Sequence, residues 1–208
     1  NGKFFRLEDH LARLRRSLDG LQLRGVAVEE ILSIVQALTE RNGLSSPEAS
    51  AYLQVTRGAP AQRRHAFPDP TVPPTVYITV TPYVRAQANR ERGVRVVLLP
   101  DIRWQRCDIK TIALVANVCA TQQAAEHGAH EAILVREGTV TEGSHTSVLA
   151  VIDGHVVTHP LNHLILDGVT RRVVLELCQE LGIPVEERPM SREELLAVDE
   201  VMITGTTS

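Results

Sequence analysis

Lysine is rare in this chain, and one of its two lysines borders an apolar segment. Twenty of the 22 basic residues are arginines, and Lys110 directly precedes the sequence TIALVA (111–116). Arginine stays protonated, whereas a lysine that is desolvated, or that lies beside another cation, can lose its proton and act as a nucleophile. We expect the neighbouring sequence to supply an apolar setting, which makes Lys110 a candidate for forming a Schiff base. An arginine-rich composition could also leave a single lysine here by chance.

Glu142 is the candidate acid or base in the second half of the chain. It ends a short predicted strand, 139–142, and is followed by Gly143 and Ser144. A carboxylate in such a place could keep a ring nitrogen protonated. A solvated turn glutamate is the alternative that this position leaves open.

Two hydroxyl-rich segments could bind a phosphate group. The sequence LDGVT (166–170) begins a predicted amphipathic helix, where free backbone N–H groups and the hydroxyl of Thr170 face a bound anion. The sequence TGTT (204–207) would add hydroxyls at the end of a strand. The alternative for the first segment is an ordinary helix start, which most helices have.

Arginines in the first third of the chain could bind acidic groups. Arg63 and His65 lie in the sequence RRH, within a proline-rich predicted loop at 58–74. Arginine can hold a carboxylate through two parallel hydrogen bonds, and histidine can add a third donor. Arg13 lies on a predicted helix and could bind phosphate. Solvated basic residues are the alternative in both places.

These groups together describe a site for pyridoxal 5'-phosphate. The cofactor needs an amine for its aldehyde, a carboxylate for its ring nitrogen, a phosphate site, and a clamp for the carboxylate of the substrate. The three cysteines include no CxxC pair, and we predict no metal site.

The elements that position these residues follow from the hydrophobic periodicity. Helices are predicted at 7–18, 26–38, 111–127 and 168–181. Strands are predicted at 51–55, 76–80, 94–99, 131–136, 139–142, 147–152 and 155–158. This order favours an α+β or mixed α/β fold. We expect a small N-terminal α/β domain at 1–84, a polar linker at 85–93, and a larger domain at 94–208.

Composition excludes several classes of function. The net charge is −3 and aromatic residues make up 3%, which argues against nucleic acid as a partner. No apolar run reaches about 18 residues, so no transmembrane helix is predicted. The odd number of cysteines suggests buried thiols in a reducing compartment, and we predict a cytoplasmic protein. The chain begins without methionine and stops in a strand-to-turn pattern, so we expect a fragment of a longer protein.

The motifs resemble those of the class IV aminotransferases, the fold-type IV pyridoxal phosphate enzymes, and within them the D-amino acid aminotransferases. The resemblance runs over the whole chain and is most specific at residues 101–207. The motifs that carry it are DIRWQRCDIK (101–110), TVTEGS (139–144) and NHLILDGVTR (162–171).

The resemblance implies a large C-terminal pseudo-barrel domain and a role for each candidate residue. Lys110 would form the Schiff base and shuttle a proton, and Glu142 would pair with the pyridinium nitrogen. Leu166 would pack on the ring. The phosphate would be bound by Val169, Thr170, Thr206 and Arg13.

The resemblance also implies the substrates and the assembly. An amino acid and a 2-oxo acid would be the substrates, such as D-alanine and 2-oxoglutarate. Arg63 and His65 match an Arg-x-His carboxylate trap, which in this family reaches in from the partner subunit of a homodimer.

The subclass rests on fewer positions. Branched-chain aminotransferases have a tyrosine where this chain has Val115, and aminodeoxychorismate lyases typically lack the Arg-x-His trap. Both remain alternatives, as does an (R)-amine aminotransferase. This chain departs from the usual serine-rich run at His145, which either alters the pocket or fills space.

Overall fold

The computed structural model describes residues 3–44, 48–84 and 87–207. Contacts between residues divide the chain into two compact units, Asn1–Arg85 and Ala86–Ser208. The presence of helices together with separate sheets in these units confirms the α+β class. No helix in the described part of the chain is long and apolar enough to cross a membrane.

The first unit combines helices with a two-stranded hairpin. Its elements are α1 (Leu7–Gly20), a 3₁₀ turn (Val28–Glu30), α2 (Ile31–Arg41), β1 (Ala49–Thr56) and β2 (Thr75–Pro82). The two strands pair antiparallel. The predicted helix at 26–38 is wrong at its start, because α2 begins at Ile31. Val28 and Ile31 are three residues apart and both buried, a spacing that the tighter 3₁₀ turn places on one face.

Apolar side chains from the helices and the hairpin form the core of the first unit. The buried members are Leu18, Leu23, Val28, Ile31, Val35 and Val80. The leucine stripe of α1, at Leu11, Leu14 and Leu18, packs into this core, as its spacing predicts.

The long loop between β1 and β2 contains no helix or strand, as predicted, and is fixed where it begins. The guanidinium carbon of Arg57 lies 3.6 Å from the centre of the Phe67 ring. Arg57 also donates a hydrogen bond of 3.3 Å to the backbone oxygen of Gln22. At Gly58 the backbone has a φ of 81°, and a Cβ atom there would lie 2.0 Å from the backbone oxygen of Pro73. Only glycine fits this crossing.

The second unit contains two sheets. A three-stranded sheet has the order β3-β4-β5, and a four-stranded sheet has the order β8-β7-β6-β9. The strands are β3 (Val96–Pro100), β4 (Glu131–Arg136), β5 (Thr139–Gly143), β6 (Ser147–Ile152), β7 (His155–Thr158), β8 (Val185–Glu187) and β9 (Glu200–Thr204). The helices are α3 (Gln87–Arg92), α4 (Val115–Glu126), α5 (Val169–Leu181) and α6 (Arg192–Leu195).

The parallel strands β3 and β4 are joined through α4, which packs on them with small side chains. Ala120 and Ala124 of α4 contact Ala132 and Leu134 of β4 within one buried cluster. The predicted start of this helix, at 111, is wrong. The hydroxyl of Thr111 accepts a 2.8 Å hydrogen bond from the Ala113 N–H, a local turn that competes with helix formation.

A tight turn carries the chain from the first sheet of this unit to the second. The Gly143 N–H donates a 2.7 Å hydrogen bond to the Thr146 backbone oxygen, between β5 and β6. One core lies under both sheets, with buried residues Ile133, Val140, Val148, Ala150, Met190 and Leu195. The turn is therefore anchored on both sides by buried strands.

Short elements account for most of what the sequence analysis missed. β8 and α6 are three and four residues long, too short for a clear hydrophobic period. The predicted linker at 85–93 contains α3, and its first two residues lie outside the described part of the chain. α5 ends at Gly182, which has a φ of 69°, as its glycine predicts.

We predict that Gly58→Ala lowers the free energy of unfolding by roughly 2 kcal/mol or more. An alanine must adopt an unfavourable positive φ and also displace the Pro73 carbonyl. Gly43→Ala is the matched control, since Gly43 has a φ of 67° but nothing within 4 Å of an added Cβ. Urea unfolding measures both variants, and equal losses would contradict the proposed crossing.

Candidate active site

An arginine–aspartate pair fixes the segment that leads from β3 to Lys110. Arg103 folds back on Asp101 through two hydrogen bonds, Nε to Oδ1 at 2.9 Å and Nη2 to Oδ2 at 2.8 Å. The Asp101 side chain is fully buried and also accepts a 2.9 Å hydrogen bond from the Thr141 hydroxyl of β5. The start of the lysine segment is thus bound to β5, on the other side of β4 in the same sheet.

The same segment is bound to the loop before α5. The Cys107 N–H donates to the His163 backbone oxygen at 2.8 Å. Nη2 of Arg103 donates to the Leu164 backbone oxygen at 3.1 Å. These bonds bring two of the candidate motifs, 101–110 and 162–171, into one local structure.

Glu142 completes this arrangement at the end of β5. Its Oε1 pairs with Nη1 of Arg103, and its Oε2 accepts a 3.0 Å hydrogen bond from the Leu166 N–H. Glu142 is 7% exposed, so the alternative of a solvated turn glutamate is wrong. Burial raises the pKa of Glu142 to about 7, although the charge of Arg103 and the Leu166 N–H act in the opposite direction.

Asp101 and Glu142 share one guanidinium but differ in proton affinity. Burial alone would raise the pKa of Asp101, but the hydrogen bonds and charge of Arg103 outweigh it and bring that pKa to about 2. Arg136 adds a second cation, 3.1 Å from Asp101. Asp101 is therefore a permanent anion, whereas Glu142 can gain or lose a proton near neutral pH.

The start of α5 offers hydrogen-bond donors for an anion. Among the described residues, no side chain caps this helix at Gly168, and the buried hydroxyl of Thr170 has no hydrogen-bond partner. The same holds for the buried Thr204 hydroxyl in the described chain. Thr204 of β9 pairs with Ser147 of β6. The backbone at Gly168 passes close to the same Ser147, since an added Cβ at Gly168 would lie 2.5 Å from the Ser147 Oγ.

These two hydroxyls and the N–H groups at the start of the helix are the kind of hydrogen-bond donors that bind a phosphate group. Val169 is buried in the first turn of α5, and Leu166 is half-buried beside Glu142. Thr206 lies two residues beyond Thr204 and is exposed. The contribution of Thr206 to a phosphate site stays a prediction.

Lys110 is exposed, so the expected apolar setting is wrong for the chain as described. The apolar residues that follow it do not bury it, since Ile112, Leu114 and Val115 are 56%, 45% and 79% exposed. Its positive charge instead acts on His145, which lies in the turn between β5 and β6.

The other three candidate residues belong to the first unit. Arg13 is 8% exposed, which is unusual for a helix arginine, and its Nη2 lies 3.4 Å from Nδ1 of His10. Arg63 and His65 are exposed on the long loop between β1 and β2. Their roles stay predictions.

The sequence analysis missed several residues that hold the site together. Asp101 and Arg103 directly follow a predicted apolar strand. Two opposite charges at the end of such a strand are the signal that could have identified them as site residues. Glu131 begins β4 and is fully buried, with no marking pattern in the sequence. Thr204 lay in the predicted hydroxyl segment but was not singled out.

Comparisons with known proteins agree over the whole chain. A family model described as Amino-transferase class IV matches residues 1–208. A D-alanine aminotransferase from Staphylococcus haemolyticus is 38% identical over 209 residues, which cover 100% of this chain and 73% of that protein.

Solved structures show the same likeness. The fold IV-transaminase CpuTA1 from Curtobacterium pusillum has a TM-score of 0.85 and 27% identity, covering 99% of this chain and 72% of that one. A branched-chain amino acid aminotransferase from Thermobaculum terrenum, in its PLP form, has a TM-score of 0.81 and 26% identity, covering 98% and 67%.

We predict that Glu142→Gln reverses a pH-dependent loss of stability in the ligand-free protein. A carboxyl whose pKa is raised to about 7 binds its proton more tightly when folded, so stability falls as pH rises from about 4.5 to 7. As the pH rises from about 5 to about 8, the free energy of unfolding of the variant should increase by up to about 3 kcal/mol relative to that of the parent.

Urea unfolding at several pH values measures this difference. Glu180→Gln on the exposed side of α5 is the matched control and should give a constant difference. A constant difference for Glu142→Gln as well would mean that the carboxyl titrates normally.

Proposed function

The chain belongs to the class IV aminotransferases, and from this we propose that it moves the amino group of a D-amino acid, such as D-alanine, to a 2-oxo acid, such as 2-oxoglutarate. The observation that carries the proposal is the relatedness over the whole chain to a D-alanine aminotransferase. The expected fold-type IV architecture is confirmed by the solved structures that resemble it. The enzyme uses pyridoxal 5'-phosphate, as class IV aminotransferases do.

The residues present fit this cofactor. The buried hydroxyls of Thr170 and Thr204 have no hydrogen-bond partner in the described chain. The oxygens of a phosphate group would accept hydrogen bonds from both. Glu142 offers a buried carboxylate for a ring nitrogen. When bound, the cofactor supplies an electron sink for the negative charge left on the substrate Cα after that carbon loses its proton.

Arg103 and Leu166 keep Glu142 in place for that purpose. A hydrogen bond from a ring N–H to an ionised carboxylate is stronger than one between neutral groups, and Glu142 offers a buried carboxylate to accept it. The guanidinium of Arg103 and the N–H of Leu166 occupy other lone pairs of this carboxylate. Glu142 is therefore oriented before any ligand arrives, and Leu166 stands beside it to cover a ring.

Lys110 is the amine in this proposal. Its Nζ would hold the aldehyde of the cofactor and would take the proton from the substrate Cα. Val169, Thr170 and Thr206, with Arg13, bind the phosphate. Arg63 and His65 bind the carboxylate of the substrate, for which a fork of donors on an exposed loop is well suited.

We also propose a homodimer in which Arg63 and His65 serve the site of the partner subunit. Both side chains are exposed in the described chain, as a trap that acts on another subunit requires. Further proposals are a division into domains at 1–84 and 94–208 with a linker at 85–93, and a cytoplasmic location. The three cysteines are all free, which supports a reducing compartment.

We predict that the purified protein with pyridoxal phosphate forms pyruvate from D-alanine and 2-oxoglutarate. Lys110→Ala should lower this rate by roughly 10²- to 10⁴-fold, the usual contribution of a positioned proton carrier. A coupled pyruvate assay measures the rate, and visible absorbance reports the covalent cofactor.

Two other substrate arms separate the alternatives. A faster reaction with L-valine than with D-alanine would contradict the D-amino acid assignment and favour a branched-chain enzyme. Pyruvate formed from aminodeoxychorismate alone would indicate a lyase. Lys3→Ala is the matched control for loss of a lysine and should keep the parental rate.

We predict that two impaired variants restore activity at low D-alanine concentration when mixed. Arg63→Ala should raise the KM for D-alanine by roughly 10-fold or more through the loss of a charged hydrogen-bonded pair. If the trap acts across the dimer, random reassociation with Lys110→Ala in equal amounts makes half of all dimers mixed, and each mixed dimer carries one intact site, which gives about a quarter of parental activity. Refolding the two variants together and assaying pyruvate tests this, and no recovery would place Arg63 in the site of its own subunit.

A further inference from the structure

The N–H groups of Arg103 are divided unequally between two carboxylates. Nε and Nη2 form the fork that holds Asp101, with bonds of 2.9 Å and 2.8 Å. Nη2 also donates to the backbone oxygen of Leu164 at 3.1 Å, so both of its N–H groups are engaged. Nη1 is the nitrogen that pairs with Oε1 of Glu142. Glu142 therefore receives one arm of the guanidinium, whereas Asp101 receives two.

Asp101 is fixed by donors from three residues, so its hold on Arg103 has one orientation. Its side chain is fully buried and accepts a 2.9 Å hydrogen bond from the Thr141 hydroxyl at Oδ2. At Oδ1 it faces Nη2 of Arg136 at 3.1 Å and accepts the backbone N–H of Arg103, also at 3.1 Å. The carboxylate cannot rotate without losing several of these bonds, and the guanidinium is fixed with it.

The single contact with Arg103 leaves Glu142 with capacity for a ligand. A carboxylate has about four lone-pair sites. Oε1 pairs with Arg103, and Oε2 accepts the Leu166 N–H at 3.0 Å, so each oxygen keeps one site that no described residue occupies. If Nη1 and Nη2 both turned toward Glu142, they would form a two-bond fork that fills a further site and neutralises more of the charge.

The proton affinities of the two carboxyl groups follow the same division. Burial raises the pKa of Asp101, but the two-armed fork and charge of Arg103 outweigh it and bring that pKa to about 2. Burial also raises the pKa of Glu142, and here the single contact with Arg103 offsets it only in part, which leaves that pKa at about 7. Arg103 thus compensates the aspartate more fully than the glutamate.

We propose that Asp101 is a positioning residue that restricts Arg103 to a single contact with Glu142 and so keeps this carboxylate open to the ring nitrogen of the cofactor. The inference rests on the proposed function in taking Glu142 as the partner of that nitrogen. It deepens the proposal because it gives a second buried carboxylate, which touches no ligand, a role in binding the ring.

The test compares two cofactors that differ in the ring nitrogen. The full chain is titrated with pyridoxal phosphate and with its deaza analogue, in which a carbon replaces that nitrogen, and equilibrium dialysis gives both Kd values. Asp101→Asn keeps the size of the side chain, but its amide N–H groups repel the N–H groups of Arg103 and cannot hold the fork. The variant should lose roughly 10-fold in its preference for pyridoxal phosphate over the analogue, the usual contribution of a charge-assisted hydrogen bond.

A matched control and a rescue make the result specific. Asp108 holds Arg106 through the same two-bond fork at the same spacing, 2.9 Å for each bond, but its side chain is 38% exposed. Asp108→Asn should therefore leave the ratio of the two Kd values unchanged. Lysine has a positive charge but no fork, so Arg103→Lys added to Asp101→Asn should return the ratio to within about twofold of the parent. A merely structural role for Asp101 predicts no such recovery.

Thr141→Val is the milder variant, which serves if Asp101→Asn does not fold. It removes the hydroxyl that donates to Asp101 and leaves every charge in place. The ratio should move in the same direction by roughly threefold. Both Kd values come from one preparation, so the ratio does not depend on the fraction of protein that is folded.

A second measurement needs no cofactor. In the parent, stability falls as pH rises from 4.5 to about 7, because the pKa of Glu142 is raised by folding. A fork from Arg103 lowers that pKa, so urea unfolding of ligand-free Asp101→Asn should show no such fall. Arg103 and Asp101 are the charged groups that act on Glu142 in the described chain. The Cys107 thiol, whose pKa burial raises, stays neutral over this range.

The two measurements separate the inference from the proposed function. A parent that binds neither cofactor would reject the proposed function, and the unfolding curves would then still decide the role of Asp101. If the parent binds pyridoxal phosphate and transaminates, an unchanged ratio in Asp101→Asn would overturn the inference alone. An unchanged pH dependence of unfolding, or no recovery in the variant that also carries Arg103→Lys, would overturn it as well.

Discussion

The second unit depends on one guanidinium held between two carboxylates. Arg103 binds Asp101 and Glu142 and also reaches the Leu164 backbone, so it joins the end of β3, the end of β5 and the loop before α5. Removing one partner of such a buried set leaves an uncompensated charge, which costs about 3–5 kcal/mol. Glu142 and the segment that carries Lys110 are therefore placed by the same interaction.

Much of the fold could be predicted from the sequence, because its periodic signals are strong. The strands β4, β6 and β7 begin and end where alternation and turn residues place them. The start of α5 at Val169 and the carboxylate of Glu142 were found through motifs that have a local meaning. Signals of this kind need no knowledge of what packs against them.

The remainder depends on contacts between distant segments, which no local pattern contains. The partner of Glu142 is Arg103, 39 residues away, and the partner of His145 is Glu131, 14 residues away. The apolar residues after Lys110 suggested burial, yet they are exposed in the described chain, since a local turn at Thr111 delays the helix. An apolar run predicts what could be buried but not whether anything covers it.

The exposure of position 145 has a consequence for how this family can diversify. Substitutions in the buried run around it would leave cavities or clashes, and most of them would destabilise the protein. At position 145 a side chain can change its charge and size while the core stays intact. Substitutions that leave the fold intact should therefore be tolerated at this single turn position.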